Sequence, residues 1–200
     1  MGHLDLLRLW QRVLRRADLP LLYSQGYSPC PRLSLACPLP VGVTGEGELL
    51  EFYLREPALV DQVGCAISAT LPRGLVLVRL EELAASLPSL ASLVRWTMYE
   101  VEVPADRSAD ELTHSVATLL GMSSLPWRHQ RDTGIRHYDL RPLVLGIEPV
   151  GPAGGAHMLR MRLRWDARGA GRPEQVVAAL GLPPPIRVHR VQVGLAQSTQ

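Results

Sequence analysis

The sequence predicts an α+β fold made of two ferredoxin-like βαββαβ halves, the first lacking its N-terminal strand. Three observations carry this. Apolar residues recur at helical spacing from Leu6 to Ala17, at i, i+3 and i+4. Two-residue alternation marks GELLEFYLRE and MLRMRLRW as half-buried strands. The order helix, strand, strand, helix, strand then recurs beyond residue 94 with a leading strand added, although no residue-by-residue similarity links the two halves.

The first helix places Leu6, Leu7, Trp10, Val13, Leu14 and Ala17 on one stripe and gathers Arg8, Arg12, Arg15 and Arg16 on the other side. Pro20 stops it, and YSQGYSP follows as a loop with Gly26 and Pro29 as turn residues. His3 and Asp5 read as cap and dipole partners at the helix start. Arg32 to Gly42 reads as a strand limited by Pro38 and Pro40. GELLEFYLRE is the next strand, with Leu50, Phe52 and Leu54 on one face. Pro57 is expected to open a helix running to Leu71, with Leu59, Val63, Ala66 and Ile67 inward, and Leu75 to Leu80 a further strand. The missing first strand is central in such a unit. A chain that begins at the helix is therefore expected to be truncated or to borrow a strand from elsewhere.

A Ser-rich stretch, Ala84 to Ser92 with Pro88 in its middle, is the expected boundary, giving halves 1–88 and 89–200 with disordered last residues. MYEVEVP then reads as a strand, and Ser108 to Leu120 as a helix with Ser108 and Glu111 at capping-box spacing. Extended segments from Trp127 to Val144 flank Asp132-Thr133-Gly134, a hairpin signal. MLRMRLRW is a strand, GRPEQVVAALG a short helix between Pro173 and Gly181, and IRVHRVQVGL the last strand.

At 200 residues and 46% hydrophobic content the chain can bury a core. It has no apolar run long enough to span a membrane and no signal-peptide pattern, so a cytoplasmic protein is expected. Cys30, Cys37 and Cys65 fit neither a disulfide framework nor a metal motif, and buried or inert thiols are expected. All 21 basic residues are arginine, with neither lysine nor asparagine in the chain, a bias that base composition explains in part. Their placement is uneven. Residues 1–94 carry eight arginines against nine acids, whereas Arg128 to Arg190 carries eleven against five, with His129, His137, His157 and His189 besides. Clustering of this kind suits a polyanion or an acidic protein surface.

Three groups are candidate sites. Arg8, Arg12, Arg15 and Arg32 with Tyr23, Gln25 and Tyr27 form one basic area. In HMLRMRLRW, alternation puts Leu159, Met161, Leu163 and Trp165 on one sheet face and Arg160, Arg162 and Arg164 on the other, where Arg168, Arg172 and His157 could join them. Each arginine row reads either as an anion site or as the solvated face of a helix or sheet. RHQRDTGIRHYDLRP adds Arg136 and Arg141, with Asp139 either a catalytic carboxylate, as in an RNA-modifying enzyme, or an orienting partner for Arg136 or Arg141. No second acid or nucleophile completes a catalytic set. Tyr23, Tyr27, Trp127 and Tyr138 are the aromatics placed for base stacking.

The opening HLDLLRLWQRVLRRADLPLLYSQGYSPCPRLSLACPLPVG, with GELLEFYL and LPRGL after it, resembles the radical-SAM-linked family, a bacterial domain of unknown function. DLRPLV, RLRWDARGAGRP and VHRVQV are similar to its second half. The resemblance implies a partner, a radical SAM protein with a cobalamin-binding region, fused or encoded alongside, often near genes for RNA processing and ribosomal proteins. It implies no catalytic residues. It also implies a strand and a Phe-Leu-Ser-like approach before His3, where Met1-Gly2 stands here. The chain has no CxxxCxxC cluster and no Asp-x-His-x-x-Gly motif, so it is not itself the radical enzyme. GxGxxG and GxxxxGK[ST] are missing too. The expectation is a non-catalytic accessory module that needs no metal or cofactor and presents RNA or another anionic substrate. The alternative is an RNA-modifying enzyme using Asp139.

Overall fold

A computed structural model describes residues 2–84, 86–131, 134–167 and 169–196 of the chain. It is a mixed α+β structure. The expectation of a disordered end falls on 197–200, and the tip of the hairpin signal on 132 and 133, both outside the described residues. The chain divides into two compact units, Met1–Val41 with Leu49–Leu93, and Gly42–Glu48 with Val94–Gln200. The sequence boundary at 88/89 lies five residues before this division and gives no sign of the excursion by 42–48.

In the first unit, α1 (His3–Arg16) turns Val13 and Leu14 into a small core with Leu21 and with Val63 and Ile67 of α2 (Val60–Thr70). Asp18 ends α1 in the left-handed region at φ 53°, a conformation that the short polar side chain of Asp tolerates. β1 (Leu33–Leu35) pairs antiparallel with β3 (Leu50–Phe52), Leu33 opposite Phe52. α2 begins at Val60 with Leu59 at its N-cap, not at the expected Pro57. The expected strand at Leu75 to Leu80 does not form. Leu75, Leu77 and Leu80 are half-buried while Val76 and Val78 are exposed, so the segment is sided as a strand would be, but no ladder joins it. Alternation specifies which side faces a core, whereas a strand needs a hydrogen-bonding neighbour. In the expected order that neighbour is the first strand, and no strand precedes α1 among the described residues. The first half is thus not a full ferredoxin-like unit among the described residues. α3 (Leu90–Leu93) closes the unit, and the amide of Leu90 donates to a Glu51 carboxylate oxygen at 3.0 Å.

The second unit runs β4 (Val94–Pro104), α4 (Ala109–Gly121), a hairpin of β5 (Pro126–Arg131) and β6 (Gly134–Asp139), β7 (Val144–Ala153), β8 (Ala156–Asp166), the two-residue β9 (Gly169–Ala170), α5 (Pro173–Ala179) and β10 (Arg187–Leu195). Its main sheet has the order β10-β4-β8-β7, antiparallel throughout. Alternate residues Tyr99, Val101 and Val103 of β4 and Leu159, Met161 and Leu163 of β8 are buried with Leu112, Val116 and Leu119 of α4 and Val176 and Val177 of α5. Each such side chain contributes roughly 1.5–3 kcal/mol by burial. Ser108 caps α4 as its spacing with Glu111 predicts: its hydroxyl accepts from the Glu111 amide at 3.2 Å, and the Glu111 carboxylate accepts from the Ser108 amide at 2.8 Å. That amide, followed by the Ser108 hydroxyl, holds the Glu111 carboxyl below its ordinary range.

The second unit also takes in β2 (Thr44–Gly45), which lies parallel to β10 with Thr44 opposite His189. Arg190, fully buried, grips Glu48 through both guanidinium edges, the Nε bond measuring 2.7 Å. The Thr44 hydroxyl meets His189 Nδ1 at 2.7 Å. A desolvated arginine with a bidentate carboxylate is strongly sensitive to loss of either partner.

Candidate nucleic-acid interface

Helical spacing sends the α1 arginines to one exposed face, because the opposite stripe is committed to the core. Arg8 approaches Asp5 at 4.0 Å, with both side chains well exposed. Arg12, Arg15 and Arg16 have no ion pair among the described residues. In the loop that follows, Tyr23, Gln25 and Tyr27 are exposed, Tyr27 completely. Arg32 is exposed and lies over the Tyr53 ring at 4.4 Å. Exposed rings and unpaired guanidinium groups are the side-chain types that supply stacking and charge to a single-stranded polyanion.

The β8 stripe behaves differently. Leu159, Met161 and Leu163 are buried as expected, with Trp165 half-buried, but the arginines opposite are engaged. Antiparallel register places Glu100 of β4 across from Arg160, and the two pair at 3.0 Å. Arg162 stacks on Trp96 at 4.2 Å. Arg164 binds Asp166 at 2.9 Å and the Pro142 carbonyl at 3.0 Å. His157 does not extend the stripe, because it is buried on the core face, with Nε2 2.8 Å from the Arg107 carbonyl. Arg172 is exposed, and Arg168 lies outside the described residues.

Two further expectations need correction. Asp139 is not poised for nucleophilic work: its Oδ1 accepts from the amides of Leu125 at 2.8 Å and Arg141 at 2.9 Å. The Leu125 amide foremost, then the Arg141 amide and the Ser124 hydroxyl, hold its carboxyl below the ordinary range. Such a carboxylate is a poor base and ties the hairpin to the 3-10 turn at Arg141–Leu143. It holds the backbone of Arg141, and neither guanidinium that the sequence suggested. Arg141 is not an anion ligand either. Its guanidinium donates to the carbonyls of Leu120 and Met122, which the end of α4 leaves open, and to that of Val144 at the start of β7, at 2.7 Å for Leu120 and Val144. Arg136 stays exposed, 6.0 Å over the Tyr138 ring.

The β5/β6 hairpin pairs residues that the sequence offered one by one. Arg128 and His137 face one another across the hairpin, as do Trp127 and Tyr138. These four, with Ser124, Pro126 and Asp139, line a shallow cleft of about 460 Å³. Alternation turns the Trp127–Tyr138 pair toward the core and the Arg128–His137 pair toward solvent. Of the cysteines, Cys37 is buried, Cys30 half-buried and Cys65 exposed, and none is in a disulfide. Among the described residues no group of three or more His, Cys, Asp or Glu could hold a metal ion, and no helix is long and apolar enough to cross a membrane.

Comparison with solved structures finds a chain of a crystallised Cbf5-Nop10-Gar1 complex, with a TM-score of 0.56 at 12% identity, covering 99% of this chain and 47% of that one. A second likeness, to a chain of the archaeal box H/ACA sRNP Nop10-Cbf5 complex, has a TM-score of 0.49 at 12% identity, covering 99% and 46%. The chain thus spans about half the length of these solved chains, and at this identity the likeness concerns fold alone. No curated protein matches it. A family model described as an uncharacterized protein conserved in bacteria, DUF2344, matches residues 1–173, and the chain belongs to that family.

Proposed function

We propose that this chain is a non-catalytic binding module that holds RNA, or a comparable polyanion, through its arginine-rich surfaces. The observation that carries the reading is the α1 face, where Arg12, Arg15 and Arg16 stand exposed without a carboxylate partner among the described residues, next in sequence to a loop of exposed Tyr23, Gln25 and Tyr27. Guanidinium groups left unpaired on one helix face repel one another, and phosphates relieve that repulsion. Asp139 and Arg141 support the non-catalytic part, since both are bonded to backbone at the base of the hairpin. The partner in this reading is a radical SAM protein with a cobalamin-binding region, which rests on the sequence resemblance. For the architecture, the order β10-β4-β8-β7 with α4 and α5 as connections supports a ferredoxin-like second half interrupted by the β5/β6 hairpin.

The test is to titrate the purified full chain with RNA across salt concentrations. Log affinity is expected to fall linearly with log salt, by about 0.7 per phosphate contact on a single strand. A flat salt response, or no binding to any RNA at low salt, refutes the polyanion reading. Co-purification with the radical SAM neighbour tests the partner separately.

A further inference from the structure

We infer that segment 75–80 is an interface for a second copy of this chain, the two copies pairing there as antiparallel strands about a two-fold axis at Leu77. The pairing needs no RNA, and each dimer carries two α1 arginine faces. Segment 75–80, LVLVRL, has its inner side fixed and its outer side bare. Leu77 and Leu80 pack against the core of the first unit. Val76 and Val78, at 83% and 81% exposure, are the most exposed aliphatic side chains among the described residues. No backbone amide or carbonyl from Val76 to Leu80 has a hydrogen-bond partner among the described residues, and no ladder includes the segment. Alternating leucine and valine with unpaired backbone groups make an open strand edge, a template for another strand.

Self-complementarity selects a second copy as the occupant. Antiparallel pairing centred on Leu77 sets Val76 of each copy opposite Val78 of the other, so that four exposed valines meet on the outer side. Inner side chains stay opposite inner ones, Leu77 against Leu77. Arg73 and Glu81 lie equally far from Leu77 along the chain, and the same axis brings Arg73 of each copy to Glu81 of the other. Gly74, at φ 89°, turns the backbone between Arg73 and the strand, so this pair forms through the length of the arginine side chain and outside the ladder. Both residues are exposed, and Arg73 has no ion pair among the described residues. Glu81 pairs with Arg79, both well exposed, a contact of the kind that exchanges at little cost. Centred on Arg79 instead, the axis would set two like charges against each other. So short a paired stretch makes an association that depends on concentration.

The experiment follows the mass of the purified full chain by sedimentation equilibrium across the micromolar range. Wild type is expected to pass from one chain to two as concentration rises. Val78→Lys, which places a charge among the valines at an exposed position, is expected to remain monomeric with an unchanged circular dichroism spectrum. Arg73→Glu and Glu81→Arg each set like charges together twice and are expected to weaken the dimer by about tenfold, whereas Arg73→Glu/Glu81→Arg restores it. A wild type that stays monomeric throughout overturns the proposal and leaves the edge to a strand of another protein. A dimer that survives Val78→Lys overturns it too, by placing the contact elsewhere, and a double charge variant no stronger than the singles removes the register at Leu77.

Discussion

The arginine face of α1 and the arginine row of β8 look equivalent in sequence, three or more guanidinium groups at the period of their element, yet the structure treats them oppositely. On α1 the next residues on the same face are other arginines, and the nearest carboxylate, Asp5, stands 4.0 Å from Arg8. On β8 the neighbours belong to another strand, and register brings Glu100 to Arg160 and the Trp96 ring to Arg162. A helix surface is furnished by its own sequence at i±3 and i±4, whereas a sheet surface is furnished by whatever pairs alongside. Positive charge on a lone helix face therefore stays available, while on β8 Arg160 and Arg162 are answered across the ladder and Arg164 by Asp166 of its own strand.

The largest expected effect lies at the extreme of the paired class, Arg190. Arg190→Met leaves the Glu48 carboxylate without its partner in a partly desolvated place and is expected to lower stability by about 3 kcal/mol, measured by denaturant unfolding. A change below about 1 kcal/mol would show that the 42–48 segment is held by other means. Next, the triple variant Arg8→Gln/Arg12→Gln/Arg15→Gln is expected to reduce the log-log salt slope of RNA binding by about two units with the unfolding midpoint unchanged. A third variant, Arg160→Gln/Arg162→Gln/Arg164→Gln, should give the converse: a stability loss of about 1 kcal/mol from the lost ion pairs and ring contact, and a slope change under about one unit. Equal slope changes in the two triple variants would erase the distinction between helix and strand arginines.

The smallest effect is a pH dependence. Asp139 and Glu111 both have carboxyls held below their ordinary range by backbone amides. A carboxyl whose pKa is lower in the folded state stabilises fully above its unfolded value, near pH 4, and that contribution disappears as pH falls through the folded value. The midpoint gap between wild type and Asp139→Asn should accordingly be widest above about pH 5 and narrow as pH falls below the ordinary carboxylate range. A gap constant across that range would mean that the charge of Asp139 contributes nothing to the hairpin base.

The sequence alone determined the elements that are decided locally. α1, α4 and α5 follow from apolar spacing and from the Ser108–Glu111 cap, and the sidedness of β8 from strict alternation, because side-chain periodicity and capping depend on residues within four positions. Exposure of the α1 arginines was legible for the same reason. What the tertiary structure alone decided is pairing over distance. Whether Leu75 to Leu80 finds a neighbouring strand, which carboxylate meets Arg160, and whether 42–48 crosses to join β10 through Glu48 and Arg190 depend on contacts between residues up to 145 positions apart. The role of Asp139 also turned on geometry: only the fold shows that its oxygen faces two backbone amides, which turns a candidate catalytic acid into a brace for the hairpin.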